Sequence, residues 1–582
     1  MNTFGLKTTL VSGAVALGLL GCGGSGGDAQ EGGAAASEVK LAGTAGTGLA
    51  PADGTGGGRW GCGTGTAVTD GAGSYTVTVT DGALPCVIRV TGTADGVPVT
   101  LHSVAEAGST SGATTTATAN VTPLTEMVMA QLAKGMPTSF FDSFGAGSTV
   151  TTEQLSAATD TLLTALANAT GIDLGSIDPF KATLVPATST TPGNAYDDAL
   201  EALKAKISLE ALPLVVNQIA SVASSPASGS DAPTLATVME SVNAGSMPGC
   251  GHVMSGRYRF VEFATGRVFV NNIDFGKKAF TRPDGTTGLT MGELDTAKPC
   301  EFTASGTNTN GHDVTFGVQM GQGGTGAFRV VNSTTGGSST GYIFPVQAHP
   351  VSALQGDWTL LSSGNYENQW EHILSRISFA ADGKATVCDY DTIENPVCLP
   401  VEDTVAATSR ADGGFDMAES DGSGFQTWLY RAPDGSVIAY GTANPTGDST
   451  AVDRSTLVAT RQRKLPLPEV DSVVKFTEFQ TVVNSTLTPP YRTAQTADSV
   501  TYTAVDTATS TATRKLTSTG RIDKLQINYP IDGTRFRAAG TDPSTSLSFI
   551  DVLQLPVSPG MAVIFSTNPE TQYVHSIVVN RP

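Results

Sequence analysis

The sequence predicts a mainly β, multidomain protein with an N-terminal β-sandwich, a central α-helical bundle and C-terminal antiparallel β-barrel or sandwich units. Three observations lead to this fold class. Apolar and polar residues alternate between residues 38 and 101, and Asp-Gly pairs separate the runs, which is the pattern of antiparallel hairpins. Helix caps and apolar stripes at helical spacing then extend to residue 245. From residue 250 to the end the alternation and the Asp-Gly turns return.

The first residues predict export and attachment. Lys7 precedes an apolar run at residues 10–20, and Gly21 precedes Cys22, which is the layout of a secretory signal. The stretch Leu-Leu-Gly-Cys at residues 19–22 resembles the signal of bacterial lipoproteins. The resemblance implies a signal peptide at residues 1–21 and acylation of Cys22, with palmitate among the chains. The alternatives are an ordinary signal peptide with an incidental cysteine and an uncleaved anchor, although the run is about half as long as a membrane span.

The anchor predicts a cell-envelope location. Several acyl chains on one residue hold a protein durably to a bilayer, because each buried methylene contributes about 0.8 kcal/mol. In the lipoprotein resemblance, Asp after the lipidated cysteine implies retention in the inner membrane. Gly23 occupies that position here, so the outer membrane is the expected location. Residues 22–37, rich in Gly, Ser and Ala without apolar periodicity, predict a flexible tether.

Residues 38–119 predict the β-sandwich. Strand-like runs lie at residues 39–42, 74–79, 86–90 and 97–101. The segment Thr-Asp-Gly-Ala-Gly-Ser-Tyr-Thr-Val at residues 69–77 resembles the central hairpin of carboxypeptidase regulatory-like domains. These are small transthyretin-like β-sandwiches, so the resemblance implies a non-catalytic module. The Gly-rich residues 54–61 depart from the middle of that domain and leave the strand order open.

Residues 120–247 predict a small helical bundle. Thr122 as N-cap and Pro123 at the first helical position start one helix. Thr151 and Gln154 have the spacing of a capping box for a helix that ends near residue 170. A longer helix is expected from residue 195 to 222, bent or broken near Pro213. A short helix follows residue 233.

Three β units are predicted after the bundle, at residues 248–350, 351–465 and 466–582. Gly256 and Gly356 each open a strand-like run about a hundred residues apart, and Pro466-Leu467-Pro468 interrupts the pattern like a linker. The opening Gly-Asp-Trp at residues 356–358 resembles the first strand of lipocalin-type barrels. Closed barrels would remove exposed strand edges. One continuous sheet structure across these units is the alternative.

The cysteines predict local disulfides. An oxidising compartment favours disulfide formation over metal ligation, and the six cysteines after Cys22 fall into three neighbouring couples. These expected pairs are Cys62 with Cys86, Cys250 with Cys300, and Cys388 with Cys398. Other connectivities stay open. No metal site and no cofactor are predicted, because the sequence has neither Cys-x-x-Cys nor paired histidines at zinc-ligand spacing.

Composition and motifs argue for binding and against catalysis. The net charge is −20, and no basic run tracks phosphates, so nucleic acid is not an expected partner. The histidines are scattered singly along the sequence, so no Ser-His-Asp set can be nominated. The sequence therefore predicts a non-enzymatic binding or surface-interaction module. A secreted hydrolase with an unrecognised site and a structural or assembly accessory of the outer membrane are the alternatives.

Three aromatic residues are the candidate ligand-binding residues. Tyr366, Trp370 and Trp428 fall in the second β unit, and the mouth of a closed barrel is a common place for a ligand. The expected partners are membrane lipid, through acylated Cys22, and an envelope protein, a polymer or a small apolar ligand. Packing in the core is the alternative role for these three side chains.

Overall fold

A β-sandwich, six α-helices and three closed antiparallel barrels follow one another along the described chain. The predicted fold class is thereby confirmed. No described helix has both the length and the apolar character needed to cross a bilayer. The computed structural model describes residues 38–47, 52–60, 64–80, 82–145, 148–187, 192–225, 227–229, 231–284, 287–295, 297–308, 310–366, 369–390, 396–420, 423–448, 451, 453–483, 491–569 and 572–582.

The sandwich consists of two four-stranded sheets, in the orders β4-β1-β8-β7 and β3-β2-β5-β6. Leu41, Val79, Val90 and Leu101 are almost fully buried in its core. Residues 52–60, mostly within the Gly-rich segment, form a strand between β3 and β5. The strands are β1 (Glu38–Thr44), β2 (Ala52–Trp60), β3 (Thr64–Val68), β4 (Ser74–Thr80), β5 (Cys86–Ala94), β6 (Val97–Ala105), β7 (Ser109–Ser111) and β8 (Thr114–Thr118).

The helices begin and end largely where their caps predict. Thr122 and Thr151 cap their helices through capping boxes. The expected long helix is two helices, because the chain leaves the first at Lys204 and restarts with Pro213 in the first turn of the next. The second helix of the six was not predicted. The helices are α1 (Pro123–Ala133), α2 (Pro137–Ser143), α3 (Thr152–Thr170), α4 (Ala195–Lys204), α5 (Leu212–Ser224) and α6 (Leu235–Ala244).

The first barrel closes eight strands at residues 256–345, after a small hairpin of β9 (Ser246–Met247) and β10 (Cys250–Met254). Its strands are β11 (Gly256–Glu262), β12 (Val268–Asp274), β13 (Ala279–Thr281), β14 (Thr287–Met291), β15 (Glu301–Thr307), β16 (Asp313–Met320), β17 (Gly326–Asn332) and β18 (Ser338–Pro345).

The second barrel closes eight strands at residues 356–461, after a 3-10 turn at Val351–Leu354. Its strands are β19 (Gly356–Tyr366), β20 (Gln369–Phe379), β21 (Lys384–Tyr390), β22 (Cys398–Ser409), β23 (Phe415–Glu419), β24 (Gly424–Arg431), β25 (Val437–Thr442) and β26 (Thr456–Arg461).

The third barrel also closes eight strands, at residues 473–580, and a small hairpin of β32 (Gly540–Thr541) and β33 (Ser548–Phe549) projects from it. The barrel strands are β27 (Val473–Val483), β28 (Tyr491–Asp506), β29 (Thr511–Leu516), β30 (Ile522–Ile527), β31 (Arg535–Arg537), β34 (Val552–Ser558), β35 (Met561–Ser566) and β36 (Val574–Asn580).

The first two barrels open with the same local device. Each begins at a glycine with positive φ, +148° at Gly256 and +116° at Gly356, a conformation that other residues rarely adopt. Two residues later, the Tyr258 hydroxyl donates to the Met254 carbonyl at 2.6 Å, and the Trp358 Nε1 donates to the Leu354 carbonyl at 2.7 Å. Each buried aromatic side chain thus ties the start of its barrel to the segment that precedes it, β10 in the first barrel and the 3-10 turn in the second.

The barrels pack against one another through their outer faces. A continuous hydrophobic cluster extends from the sandwich through the helices to the outward side chains of the third barrel, such as Leu555 and Ile577. Between the first two barrels, Arg259 forms a buried ion pair with Asp412 at 3.1 Å. The apolar outer faces therefore act as core in this chain, and each barrel keeps a separate interior.

Two of the predicted cysteine couples are joined. Cys250 and Cys300 form a disulfide, and Cys388 and Cys398 form another, with Cα–Cα distances of 5.0 and 5.2 Å. Cys86 is buried in β5. Its predicted partner at position 62 lies outside the described residues, as do Cys22 and the signal and tether segments, so those expectations stay predictions.

Candidate ligand-binding site

The mouth of the first barrel forms a cup of about 1010 Å3 with an aromatic floor. Alternation along β11 and β12 places Phe260 opposite Phe269, and both rings point into the barrel. Their centroids are 4.9 Å apart in a stacked arrangement. Phe280 and Phe316 extend the floor, with centroids 5.6 Å apart. An apolar group entering the barrel would therefore meet a continuous surface of phenyl rings.

Polar side chains surround the cup above this floor. The lining includes Asn271, Arg282, His312 and Asn332. The side-chain oxygen of Asn332 accepts from the backbone amides of residues 334 and 335 at 3.0 Å. The side-chain amino nitrogen of Asn332 therefore lies towards His312, 3.2 Å from its Nδ1. Because this amino group donates, the His312 Nδ1 is the acceptor of this hydrogen bond.

The combination defines what the cup can do chemically. Ligand pockets of roughly 300–1,000 Å3 that are apolar with a few placed polar groups suit small organic molecules, and barrel mouths are a favoured place for them. Here the rings supply an apolar surface, while a guanidinium, an imidazole and two amides supply hydrogen bonds at the rim. The cup therefore suits an amphipathic molecule that buries an apolar part and leaves a polar end at the rim.

Sequence reasoning did not identify the cup residues. The cup-lining Phe269, Phe280 and Phe316 lie on three different strands, and each is an ordinary member of its strand. A surplus of phenylalanine in this unit was the available signal. Only the closing of these strands into one barrel brings the three rings and the buried Phe260 ring into contact.

Trp370, one of the aromatic residues predicted from the sequence, lies at an interface between barrels. Trp370 on β20 packs against Tyr573 of the third barrel, with ring centroids 5.2 Å apart, and near Phe263 of the first barrel at 6.3 Å. Tyr366, at the end of β19, shares a hydrogen bond with the Ser362 hydroxyl. Burial raises the pKa of Tyr366 to about 12. The binding role of these residues stays a prediction.

Trp428 lies apart from that pair, between the first and second barrels. Its Nε1 donates to the Asp412 Oδ2 at 3.0 Å, and the Arg259 guanidinium lies 4.4 Å above its ring. Burial tends to raise the pKa of Asp412, but the charge of Arg259 and the hydrogen bond from Trp428 help to lower it overall. Burial lowers the pKa of Arg259 to about 10.

Two buried histidines lie where all three barrels meet. The His575 ring stacks on Phe263 at 3.8 Å, and its Nε2 lies 3.0 Å from the Tyr342 hydroxyl. The His372 ring stacks on Tyr573 at 4.1 Å. Burial lowers the pKa of His575 to about 3, and burial with the nearby charge of His575 lowers the pKa of His372 well below its usual value. Both rings are therefore neutral at physiological pH.

A group with metal-ligand chemistry occurs beside the first barrel. Cys250, His252 and Cys300 place their ligand atoms within 4.8 Å of one another. The two sulfurs are joined as a disulfide, and only thiolate sulfur is a good metal ligand. The His252 Nε2 instead lies 3.4 Å from the Cys250 sulfur, and the three residues act as a structural group.

Comparisons with known proteins leave the chain without an assigned family. No protein-family model matches it, and no curated protein matches it. Solved structures of transferrin binding protein B are similar to this chain. A point mutant from Haemophilus parasuis Hp5 has 10% sequence identity and a TM-score of 0.18, and the match covers 54% of this chain and 66% of that chain. The isotype 1 protein from serogroup B Neisseria meningitidis has 11% identity and a TM-score of 0.16, and the match covers 54% of this chain and 65% of that chain. This chain thus spans just under two thirds of those neighbours. At these TM-scores the similarity establishes neither a common fold nor a shared ligand.

Proposed function

We propose that this chain is a cell-envelope lipoprotein, anchored in the outer membrane by acylated Cys22, that binds a small amphipathic ligand without catalysis. The observation that carries the binding role is the cup of the first barrel, in which phenyl rings form the floor and polar groups form the rim. The anchor is supported by the Leu-Leu-Gly-Cys stretch at residues 19–22 and by Gly23. The two N-terminal sheets serve as a carboxypeptidase regulatory-like spacer module in this proposal.

Ligand entry is tested by filling the cup. The probe is N-phenyl-1-naphthylamine, a neutral aromatic amine whose fluorescence rises in apolar surroundings. Asn271→Trp places a large side chain among the groups that line the cup. Thr315→Trp is the matched control, because Thr315 is exposed on β16 beside inward Val314 and Phe316.

The proposal expects saturable probe binding by the wild type and by Thr315→Trp, and loss of it in Asn271→Trp. Circular dichroism checks that both variants keep their β structure. Equal probe binding by all three proteins, or none by the wild type, would contradict the cup as a ligand site.

The anchor is tested separately in bacterial cells. The wild-type chain is expected in the membrane fraction with acyl chains on Cys22, seen by mass spectrometry of the N-terminal peptide. Cys22→Ser is expected to leave the membrane fraction, because the acylated thiol is missing. Gly23→Asp is the matched control: it is expected to remain acylated but to move to the inner membrane. Membrane retention of Cys22→Ser would refute lipid anchoring.

A further inference from the structure

The interior of the third barrel differs in chemistry from the other two. The first and second barrels fill their interiors mainly with apolar side chains such as Phe260 and Trp358. The third barrel has only a partial apolar filling around Tyr502 and Leu525 and encloses a cavity of about 720 Å3. Charged and amide side chains that alternate along its strands line this cavity, namely Glu478, Gln480, Arg514, Arg521, Arg535, Arg537 and Gln554.

One carboxylate organises three of these arginines. Asp523 is 3% exposed. Its Oδ1 accepts from the Arg514 Nε at 2.7 Å, and its Oδ2 lies 3.1 Å from both the Arg521 and the Arg537 guanidinium. Burial tends to raise the pKa of Asp523, but the three guanidinium charges outweigh it and lower the pKa. Asp523 is therefore ionised, and its two oxygens are shared among three cations.

The fourth arginine has no counterion of its own. Arg535 lies on β31, and its side chain lines the same cavity. Within the described residues, no carboxylate forms an ion pair with Arg535, and its Nε is buried without a hydrogen-bond partner. The Nε atoms of Arg521 and Arg537 are also buried and have no hydrogen-bond partner in the part of the chain that the structure describes, and Arg537 is only 7% exposed.

The charges around the cavity do not balance. Among the described residues of the third barrel, four guanidinium groups face two carboxylates, those of Glu478 and Asp523, which leaves an excess of positive charge inside the barrel. Buried cations are costly unless an anion pairs with them. The guanidinium group presents several N–H donors in a planar fork that matches the oxygens of a carboxylate or a phosphate. An oxyanion would therefore accept hydrogen bonds from the unused N–H groups and also neutralise the excess positive charge.

We propose that the third barrel binds a small molecule bearing a phosphate or carboxylate group, with Arg535 as its direct partner. The cavity volume lies within the usual range of small-molecule pockets. Gln480 and Gln554 line the same space and supply further hydrogen-bond donors to the ligand. This site is in a different barrel from the cup and does not depend on the function proposed for the cup.

The test is calorimetric titration of the full-length chain with inorganic phosphate and with citrate, against sodium chloride at equal ionic strength. The variants are Arg535→Gln and Lys515→Gln. Each removes one positive charge from the third barrel, but Lys515 is exposed on the outer face of β29, next in sequence to cavity-lining Arg514. Circular dichroism and thermal unfolding report whether each variant is folded.

Saturable binding of either anion to the wild type is expected, and the preferred anion decides between a phosphate and a carboxylate ligand. Loss of a charged hydrogen bond in Arg535→Gln is expected to weaken Kd about tenfold or more, while Lys515→Gln keeps the wild-type Kd. If Arg535→Gln does not fold, Arg535→Lys replaces it and is also expected to bind more weakly, because it lacks the planar fork. No saturable heat with either anion, or equal weakening in the arginine and lysine variants, would overturn the proposal.

Discussion

Acidification is expected to destabilise the junction of the three barrels, because His575 is buried there as a neutral imidazole. The residue is fully buried, stacks on Phe263 at 3.8 Å and hydrogen-bonds with Tyr342. Burial lowers its pKa from 6.5 to about 3 in the folded chain. As pH falls below 6.5, the unfolded chain binds a proton that the folded chain cannot accept. Stability is therefore lost as pH decreases, and the loss levels off only near the folded-state pKa.

The size of this effect follows from the two pKa values. One pKa unit corresponds to about 1.4 kcal/mol. The free energy of unfolding falls by about this amount for each pH unit below 6.5, down to the pKa of the folded state. Between about pH 7 and about pH 5, His575 alone is expected to remove about 2 kcal/mol from the free energy of unfolding. The other buried histidines of lowered pKa, including His349 and His372, add to this in the same direction.

The measurement is urea unfolding, followed by tryptophan fluorescence, at both pH values. His575→Gln removes the titrating ring, and its cost at neutral pH is about 1–3 kcal/mol for the disturbed buried hydrogen bond. That deficit is expected to shrink by about 2 kcal/mol at about pH 5. Tyr342→Phe removes the same hydrogen bond but keeps the imidazole. Its free energy of unfolding is therefore expected to fall with pH as the wild-type value does, so its deficit stays the same at both pH values. A His575→Gln deficit that stays constant between the two pH values would refute the reasoning.

Three further predictions concern stability. Asp412→Ala leaves the buried Arg259 without its counterion and is expected to cost about 3–5 kcal/mol in urea unfolding, whereas Arg259→Met combined with Asp412→Ala recovers much of that loss. Cys300→Ala removes the disulfide to Cys250, which closes a loop with a sequence separation of 50, and Cys398→Ala removes the disulfide to Cys388, with a separation of 10. The chain-entropy relation gives stability losses of about 4 kcal/mol and about 3 kcal/mol respectively, so Cys300→Ala should melt at the lower temperature. Trp370→Ala is expected to lower the free energy of unfolding by about 3 kcal/mol through lost packing between barrels and to leave probe binding in the cup intact. Unchanged stability together with lost probe binding would instead assign Trp370 to a ligand site.

Local signals in the sequence predicted much of the secondary structure. The capping box of Thr151 and Gln154 starts α3 because it satisfies amide groups that would otherwise be free. Gly256 and Gly356 mark the starts of two barrels because their backbone conformations exclude most side chains. The break at Pro213 was also predicted from the ring's effect on a helix. Each of these is a short-range effect that acts within a few residues.

The candidate sites depended on contacts that a single strand does not encode. Phe269, Trp370 and Arg535 each lie on a strand of the structure, but the pattern of a single strand does not show whether the ring or guanidinium faces a cavity, a neighbouring barrel or solvent. Trp370 packs between barrels because the outer faces of these barrels are buried. Arg535 faces a cavity because the third barrel carries charged residues inside.

The sequence by itself therefore determined the β-rich class, the helix starts set by caps and the two disulfides Cys250–Cys300 and Cys388–Cys398, because each follows from a local pattern or from the order of the cysteines along the chain. The lipid anchor at Cys22 stays a prediction. Tertiary structure alone decided that three separate barrels close, that their outer faces pack together, and which side chains share a cavity. The physical reason is that a barrel interior collects one residue from each of eight strands, and only the register of those strands determines which residues meet.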